Sequence, residues 1–371
     1  MVTPVAIDQA NNAIERFLSR ADAIVQCADP TGREAARALL QTLADADKSL
    51  SRRLAYWTRR RLGGGSMRFS EASLIVYREQ IQTAIALVQD RLRGITNTAS
   101  IEAARVGLLM SNNLFNELER AFVGVVRPVP LDEAAIVRLR PSLLARHATS
   151  VDRYGAAMVD RMERILAQGL AEGASQFQMV QRLTGIRGPT GMVSTRAVEV
   201  QPGMVVRLSE EYIPEGLFIR HRSWAWRIVR TEVAEAQNAA NEASIDHASE
   251  VLQTEVKRKI LAVMDNRTAH DSIAVHGQIR RKEEHFVDGA GRRYLRPPAR
   301  PHDRETIIPW RDRWSETPRS RALTSGQRAR MTEANSEAQR NRARRRRRAR
   351  ALRQRRIDRE LRRQQANQTK S

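Results

Sequence analysis

At 371 residues the chain has room for two or three domains. Its 41% hydrophobic and 5% aromatic content is lean for that length, which implies that part of the chain packs no core. The net charge of +22 is unevenly placed: residues 319–371 carry 19 Lys/Arg against 4 Asp/Glu, a net +15, and the preceding 318 residues carry only +7. Such a distribution points to a polyanion-binding tail on an ordinary body. Arginine outnumbers lysine 59 to 5. Codon bias accounts for that ratio across the body but not for its clustering, and the guanidinium fork grips phosphate bidentately. Cys27 is alone, which excludes an internal disulfide framework and points to synthesis in a reducing cytoplasm. The N-terminal residues have no basic stretch followed by an apolar core, and no run approaches 18 apolar residues, so neither a secretory signal nor a membrane span is expected.

In chain order, residues 1–62 read as a helical segment. Ile14, Phe17, Leu18 and Ala21–Ile24 follow helical spacing, and Leu39, Leu40, Leu43 and Leu50 continue it after the Asp29-Pro30-Thr31-Gly32 break. Gly63-Gly64-Gly65-Ser66 predicts a hinge. Over 66–126, Leu74, Tyr77, Ile81, Ala84, Val88 and Leu92 alternate steps of three and four. So do Ile101, Ala104, Leu108, Phe115, Leu118 and Phe122. This predicts two amphipathic helices joined near Gly94–Thr98 as a hairpin.

Residues 127–149, opened by Arg127-Pro128-Val129-Pro130, read as a linker with a short helix over Leu131–Leu144. Helical spacing resumes at Met158, Met162, Ile165, Leu166 and Leu170, and a short second helix carries Phe177, Val180 and Leu183. Residues 185–222 change to irregular chain, with strands expected around Val205–Leu208 and Leu217–Ile219. Trp224–Met264 reads as one or two helices ending in VKRKILAVM. Glu284–Val287 and Arg292–Leu295 flank Asp288-Gly289-Ala290-Gly291 and predict a β-hairpin. Pro297–Pro301 fits neither a central strand nor a helix interior. From Thr317 onward large apolar residues are few, so 319–371 is expected to be disordered or a lone helix.

A two-part pattern dominates the second half. Arg230-Thr231-Glu232 opens the run RTEVAEAQNAANEA; MDNRTAHDSIAVHGQ (264–278), HFVDGAG (285–291) and PPARPHDRETIIPW (297–310) follow. Over about 150–312 this order resembles the phage Mu protein F-like minor head proteins, the phage head morphogenesis family. The matching residues are Arg230, Thr231, Glu232, Asn238, Asp265, Arg267, Thr268, Gly277, Phe286, Pro297, Pro298 and Pro301. The resemblance implies a mainly helical α+β protein with a small β element. It also implies a minor capsid protein of a tailed phage or prophage, acting in head assembly beside the portal protein and other head or scaffold proteins. Its expected places are the virion head and, during assembly, the host cytoplasm.

The signature residues read physically as a polar scaffold. Glu232 is expected to pair with Arg267, Asp265 to stop a helix and form a turn, and Gly277 to take a positive φ. Many members of the family carry Cys or His where this chain has Ala269, Ser272, Asp303 and Glu305, so no metal is expected. The remaining set His270, His276, His302 and Asp303 lacks helical ligand spacing. The family fold has been related to ADP-ribosyltransferases, which makes a toxin or effector with Glu199 or Glu232 as the catalytic carboxylate the alternative. No Walker loop, GxGxxG or GxSxG motif is present, and no enzyme or cofactor is expected.

The tail RNRARRRRRARALRQRRIDRELRR (340–363) offers Arg340, Arg342, Arg344, Arg345, Arg346, Arg347, Arg348, Arg350, Arg353, Arg355, Arg356, Arg359, Arg362 and Arg363 to the phosphates of double-stranded DNA. No aromatic residue lies within 319–371, so contact there is electrostatic and indifferent to sequence. A docking helix for acidic head proteins, or a solvated disordered tail without a specific role, are the other readings of this segment, and a nucleic-acid-binding protein outside any virion is a further alternative for the whole chain.

Overall fold

The computed structural model describes residues 3–60, 68–124, 127–184, 197–201, 204–207, 216–301 and 303–368. The expected glycine hinge and His302 lie outside them. Of the described residues 71% are helical, with a few short antiparallel strands, giving an α+β protein dominated by helices.

Helix α1 (Pro4–Val25) starts with Pro at its first position and Thr3 as cap, the Thr3 hydroxyl accepting the Ala6 amide at 3.2 Å. It buries Ile14, Phe17, Leu18 and Ile24, the stripe expected from spacing. A turn follows in which Cys27 takes φ 49° and Asp29 accepts the Gly32 amide; α2 (Pro30–Arg60) begins there.

Helix α3 (Glu71–Val123) is one element of 53 residues, about 80 Å at 1.5 Å per residue. The spacing predicts two helices with a joint at Gly94–Thr98, and the structure has none. A mid-helix glycine costs only about 1 kcal/mol relative to alanine. The unbroken buried stripe Leu92, Thr96, Ala99, Ala103 and Gly107 outweighs that cost. A Cβ at Gly107 would come within 2.9 Å of the Gln237 carbonyl, so glycine there sets a close helix–helix approach.

Helix α4 (Ala134–Ala171) likewise begins inside the segment expected to be linker. Pro141 lies in its second turn on an exposed face, where the missing N–H disturbs one turn and no packing. Helix α5 (Gln176–Thr184) is the expected short helix. Strands β1 (Ala197–Gln201) and β2 (Met204–Arg207) pair antiparallel.

Leu217–Ile219, expected as a strand, is the helical turn α6 (Leu217–Arg220). Three apolar residues fit either conformation, and Asp47 decides. Its buried carboxyl accepts the amides of Phe218 (3.0 Å) and Ile219 (2.9 Å), capping the turn from α2.

Burial raises the Asp47 carboxyl to about 8, against the pull of those amides. The unfolded chain releases this proton near the ordinary value of 3.8, so between the two values the folded state holds more protons. Stability therefore falls as pH rises through that window. Relative to Asp47→Asn, the wild type is expected to lose up to about 4 kcal/mol between pH 5 and pH 8, at 1.36 kcal/mol per unit. Denaturant midpoints of both proteins at both pH values check this; parallel pH profiles would contradict it.

Helix α7 (Arg222–Leu252) carries the Arg-Thr-Glu run. The apolar-basic string after it, expected to be helical, is instead strand β3 (Lys257–Ala262). The run is short and β3 is central in a three-stranded antiparallel sheet. Then come α8 (His270–Val275), β4 (Ile279–Arg280), β5 (Phe286–Val287), β6 (Arg293–Tyr294) and β7 (Glu305–Trp310). The sheet order is β4-β3-β7, with Ile260 opposite Ile307; β5 and β6 form the expected hairpin. Pro309 is tolerated because β7 is an edge strand. Helix α9 (Ser325–Gln368) is the last described element.

One apolar core runs from Ile14 and Leu39 through Tyr77, Phe115, Met158 and Trp226 to Ile260, Ile307 and Trp314. The N-terminal helices thus share a core with residues 150–312. Among the described residues no helix is long and apolar enough to cross a membrane.

Candidate nucleic-acid interface

Helix α9 begins with a reciprocal cap: the Thr324 hydroxyl accepts the Gln327 amide at 3.3 Å, and Gln327 Oε1 accepts the Thr324 amide at 2.9 Å. Arg, Ala, Gln and Leu then favour helix, and no Pro follows in the chain.

The helix is not alone at its root, which corrects the expectation for 319–371. Ser320 is buried against Thr317, and Met331, Thr332, Asn335, Ala338 and Arg342 form a partly buried stripe at helical spacing. Asn335, 5% exposed, donates to the Thr268 carbonyl at 2.8 Å, and Arg342 donates to the Asn266 side chain. Past that contact Arg344, Arg345, Arg347 and Arg348 are exposed, as is Arg340. Arg346, Arg350, Arg353, Arg355, Arg356, Arg359, Arg362 and Arg363 belong to the backbone of the same helix, and their side chains lie outside the described part.

The turn that receives α9 is the signature turn. Asp265 accepts the Arg267 amide at 2.7 Å, and the Thr268 hydroxyl both accepts the Asp265 amide and donates to the Val263 carbonyl. This is the turn-forming role expected of Asp265. Gly277 has φ 83°, as expected, and an added Cβ would meet the Ala322 backbone at 2.6 Å. The segment leading into α9 crosses there.

Among the other signature residues Asn238, helped by Asn241, ties α7 to the sheet. Asn238 accepts the Ile307 amide and donates to the Ala234 and Glu305 carbonyls, and Asn241 donates to Thr306 and the Ile307 carbonyl. Two amides thus clamp the edge strand β7 onto α7. Arg230, 7% exposed, donates to the Val25 carbonyl at the end of α1. Thr231 turns back on the Arg227 carbonyl within its own helix. Phe286 is fully buried under the Arg258 guanidinium, 5.6 Å from its ring centre. The Pro297-Pro298 peptide is cis, inside the irregular strip expected there.

The expected Glu232–Arg267 pair does not form. Glu232 is 2% exposed and takes Arg146 at 2.9 Å and Ser150 at 2.6 Å, both from α4. Spacing along α7 shows that Glu232 faces inward but not which helix it meets. His147 stands 3.9 Å away, held neutral to about 4 by burial first and then by the Arg146 charge.

A polar centre that residue spacing does not reveal forms around Arg258. Arg258 is 1% exposed and donates to Glu242, to the Leu295 carbonyl and to the carbonyls of Arg281, Lys282 and Glu284. Arg296 joins it through Glu242 and Glu235. A second centre is Glu119, 3% exposed, which takes Arg311, Arg313 and the Trp314 indole. The signal in the sequence is slight: an arginine between two lysines at the start of a strand-length run, and a glutamate on the apolar stripe of α3.

His276, Asp303 and Glu305 have other partners. His276 accepts the Ala262 amide at 3.1 Å, and burial holds it neutral to about 4. Asp303 pairs with Arg300, and Glu305 accepts the Tyr294 hydroxyl at 2.8 Å. His270 is an exposed side chain, Ala269 precedes α8, and Ser272 lies within it. Among the described residues no three His, Cys, Asp or Glu side chains gather as a metal ion requires. Burial, with the Asp303 charge next, raises Glu305 to about 7. Only 1% of it is exposed, so this carboxyl is closed to solvent. Glu199, the other carboxylate weighed for catalysis, lies in β1, and its side chain is outside the described part. No family model, curated protein or solved structure matches the chain.

Proposed function

We propose that this chain is a minor head protein of a tailed phage or prophage, without an enzymatic activity of its own. In this reading it assembles at the portal with other head or scaffold proteins and touches packaged double-stranded DNA through α9. It resides in the virion head, having passed through the host cytoplasm during assembly.

The observation that carries the reading is the seating of α9. The most basic segment of the chain is fastened by Asn335 to the carbonyl of Thr268, a residue of the signature that resembles the Mu protein F-like family. Asn238, Glu232, Asp265, Thr268 and Gly277 of the signature each hold a helix, strand or turn in place. Arginines around a single helix suit phosphates, whose contact needs charge and no base edges.

The test is co-purification. Heads produced from the genome that encodes the chain are expected to retain it, together with portal protein, through a density gradient. Recovery of the chain only with free nucleic acid would favour a DNA-binding protein outside any virion.

A further inference from the structure

The fold makes little use of the Arg267 side chain. Its guanidinium approaches Asp265 no closer than 3.4 Å, and half of the side chain is exposed. Asp265 already has closer donors. Arg304, 8% exposed as a side chain, binds both of its oxygens, and the backbone amide of Arg267 supplies another bond. Despite partial burial, these donors hold the Asp265 carboxyl down at about 2. Asp265 keeps its partners whatever stands in the Arg267 side chain.

The local charge is in excess. Arg304 is shared between Asp265 and Asp22, so two carboxylates face Arg304, Arg267 and the nearby Arg230. A fourth guanidinium arrives from α9, where Arg342 bonds Asn266, the residue before Arg267. Arg345 lies one turn further along the same face of α9 and is exposed. The row Arg267, Arg342, Arg345 runs from the body onto the basic helix without an acidic residue of α9 between them.

We propose, resting on the reading that α9 binds DNA, that the bound duplex continues past the root of α9 onto the signature turn, where Arg267 together with Arg342 binds backbone phosphate. In a plain solvated role Arg267 would contribute only to the bulk charge of the chain. In a structural role its loss would unfold the turn.

The experiment is a salt titration of full-length protein binding a 30-base-pair duplex, read by fluorescence anisotropy. Arg267→Ala is expected to bind several-fold more weakly at moderate salt, with the slope of log K against log salt shallower by about 1, one phosphate contact. Its melting temperature should match the wild type. Arg267→Lys should restore the slope, since an ammonium still displaces a counterion. Arg105→Ala, which removes an equal charge from an exposed helix pair with Glu102, should leave the slope alone. An unchanged slope in Arg267→Ala, or an equal change in Arg105→Ala, would overturn the assignment. Failure of the underlying reading looks different: a chain lacking residues 343–371 would then bind the duplex as tightly as the full chain.

Discussion

Deleting residues 343–371 is expected to abolish most of the affinity of the chain for duplex DNA and to leave its melting temperature unchanged. That segment holds 13 Lys/Arg against 2 Asp/Glu, a net +11 out of +22. It lies beyond Arg342, the last residue of the docked stripe among the described side chains. With about half of the tail arginines on phosphates, the full chain should show a salt slope of roughly −6 to −9. The truncated chain should fall to a shallow slope set by the contacts that Arg267 and Arg342 retain. A cut at 319 would be a poorer experiment. It removes Ser320 and Asn335, both buried and hydrogen-bonded, and so confounds binding with folding. Anisotropy and calorimetry on the 343–371 deletion separate the two effects. Undiminished affinity would refute the role given to α9, and a large drop in melting temperature would refute the independence of 343–371 from the core.

The largest expected stability effect belongs to Arg258. Its guanidinium is out of solvent and satisfied by one carboxylate and four carbonyls, while its Nε has no partner. Arg258→Met removes the charge and leaves Glu242 with Arg296 alone, and it leaves the carbonyls of Arg281, Lys282, Glu284 and Leu295 without this donor. Breaking one side of a buried, hydrogen-bonded ion pair typically costs about 3–5 kcal/mol. The hairpin β5–β6 and the 281–284 turn should loosen first, since this one side chain holds both to β3. Urea unfolding and amide exchange over 279–296 measure the two parts. A cost below about 1 kcal/mol would mean that the methionine packs on Phe286 well enough to replace the network. Arg267→Ala is the contrast, because its exposed side chain should cost little.

The helices of the body were largely legible. α1 and α2 follow from Ile14, Phe17, Leu39 and Leu43 at helical spacing and from the Asp29-Pro30 break. Asp265 and Gly277 were legible because their roles are local: a side chain bonding its own turn, and a backbone angle that excludes most residues. What failed was non-local. Gly94 looked like a joint because nothing nearby reveals that α4 and α7 support α3 on both sides of it. Lys257–Ala262 looked helical because β7, its partner, lies some fifty residues away. Leu217–Ile219 depends on Asp47, and Glu232 on Arg146 and Ser150. Each pairing joins segments that sequence spacing cannot bring together. The buried arginines were the hardest to see, since Arg258 and Arg311 carry the same letter as the arginines of the exposed tail.

The most direct measurement is ultraviolet crosslinking inside DNA-filled heads, followed by mass spectrometry of the crosslinked peptides. The chain is expected to be present in those heads and to carry DNA adducts on peptides from 340–363, with adducts at 264–268 where the body meets α9. Heads that lack the chain, or adducts that avoid α9 in a chain that is present, would contradict the account.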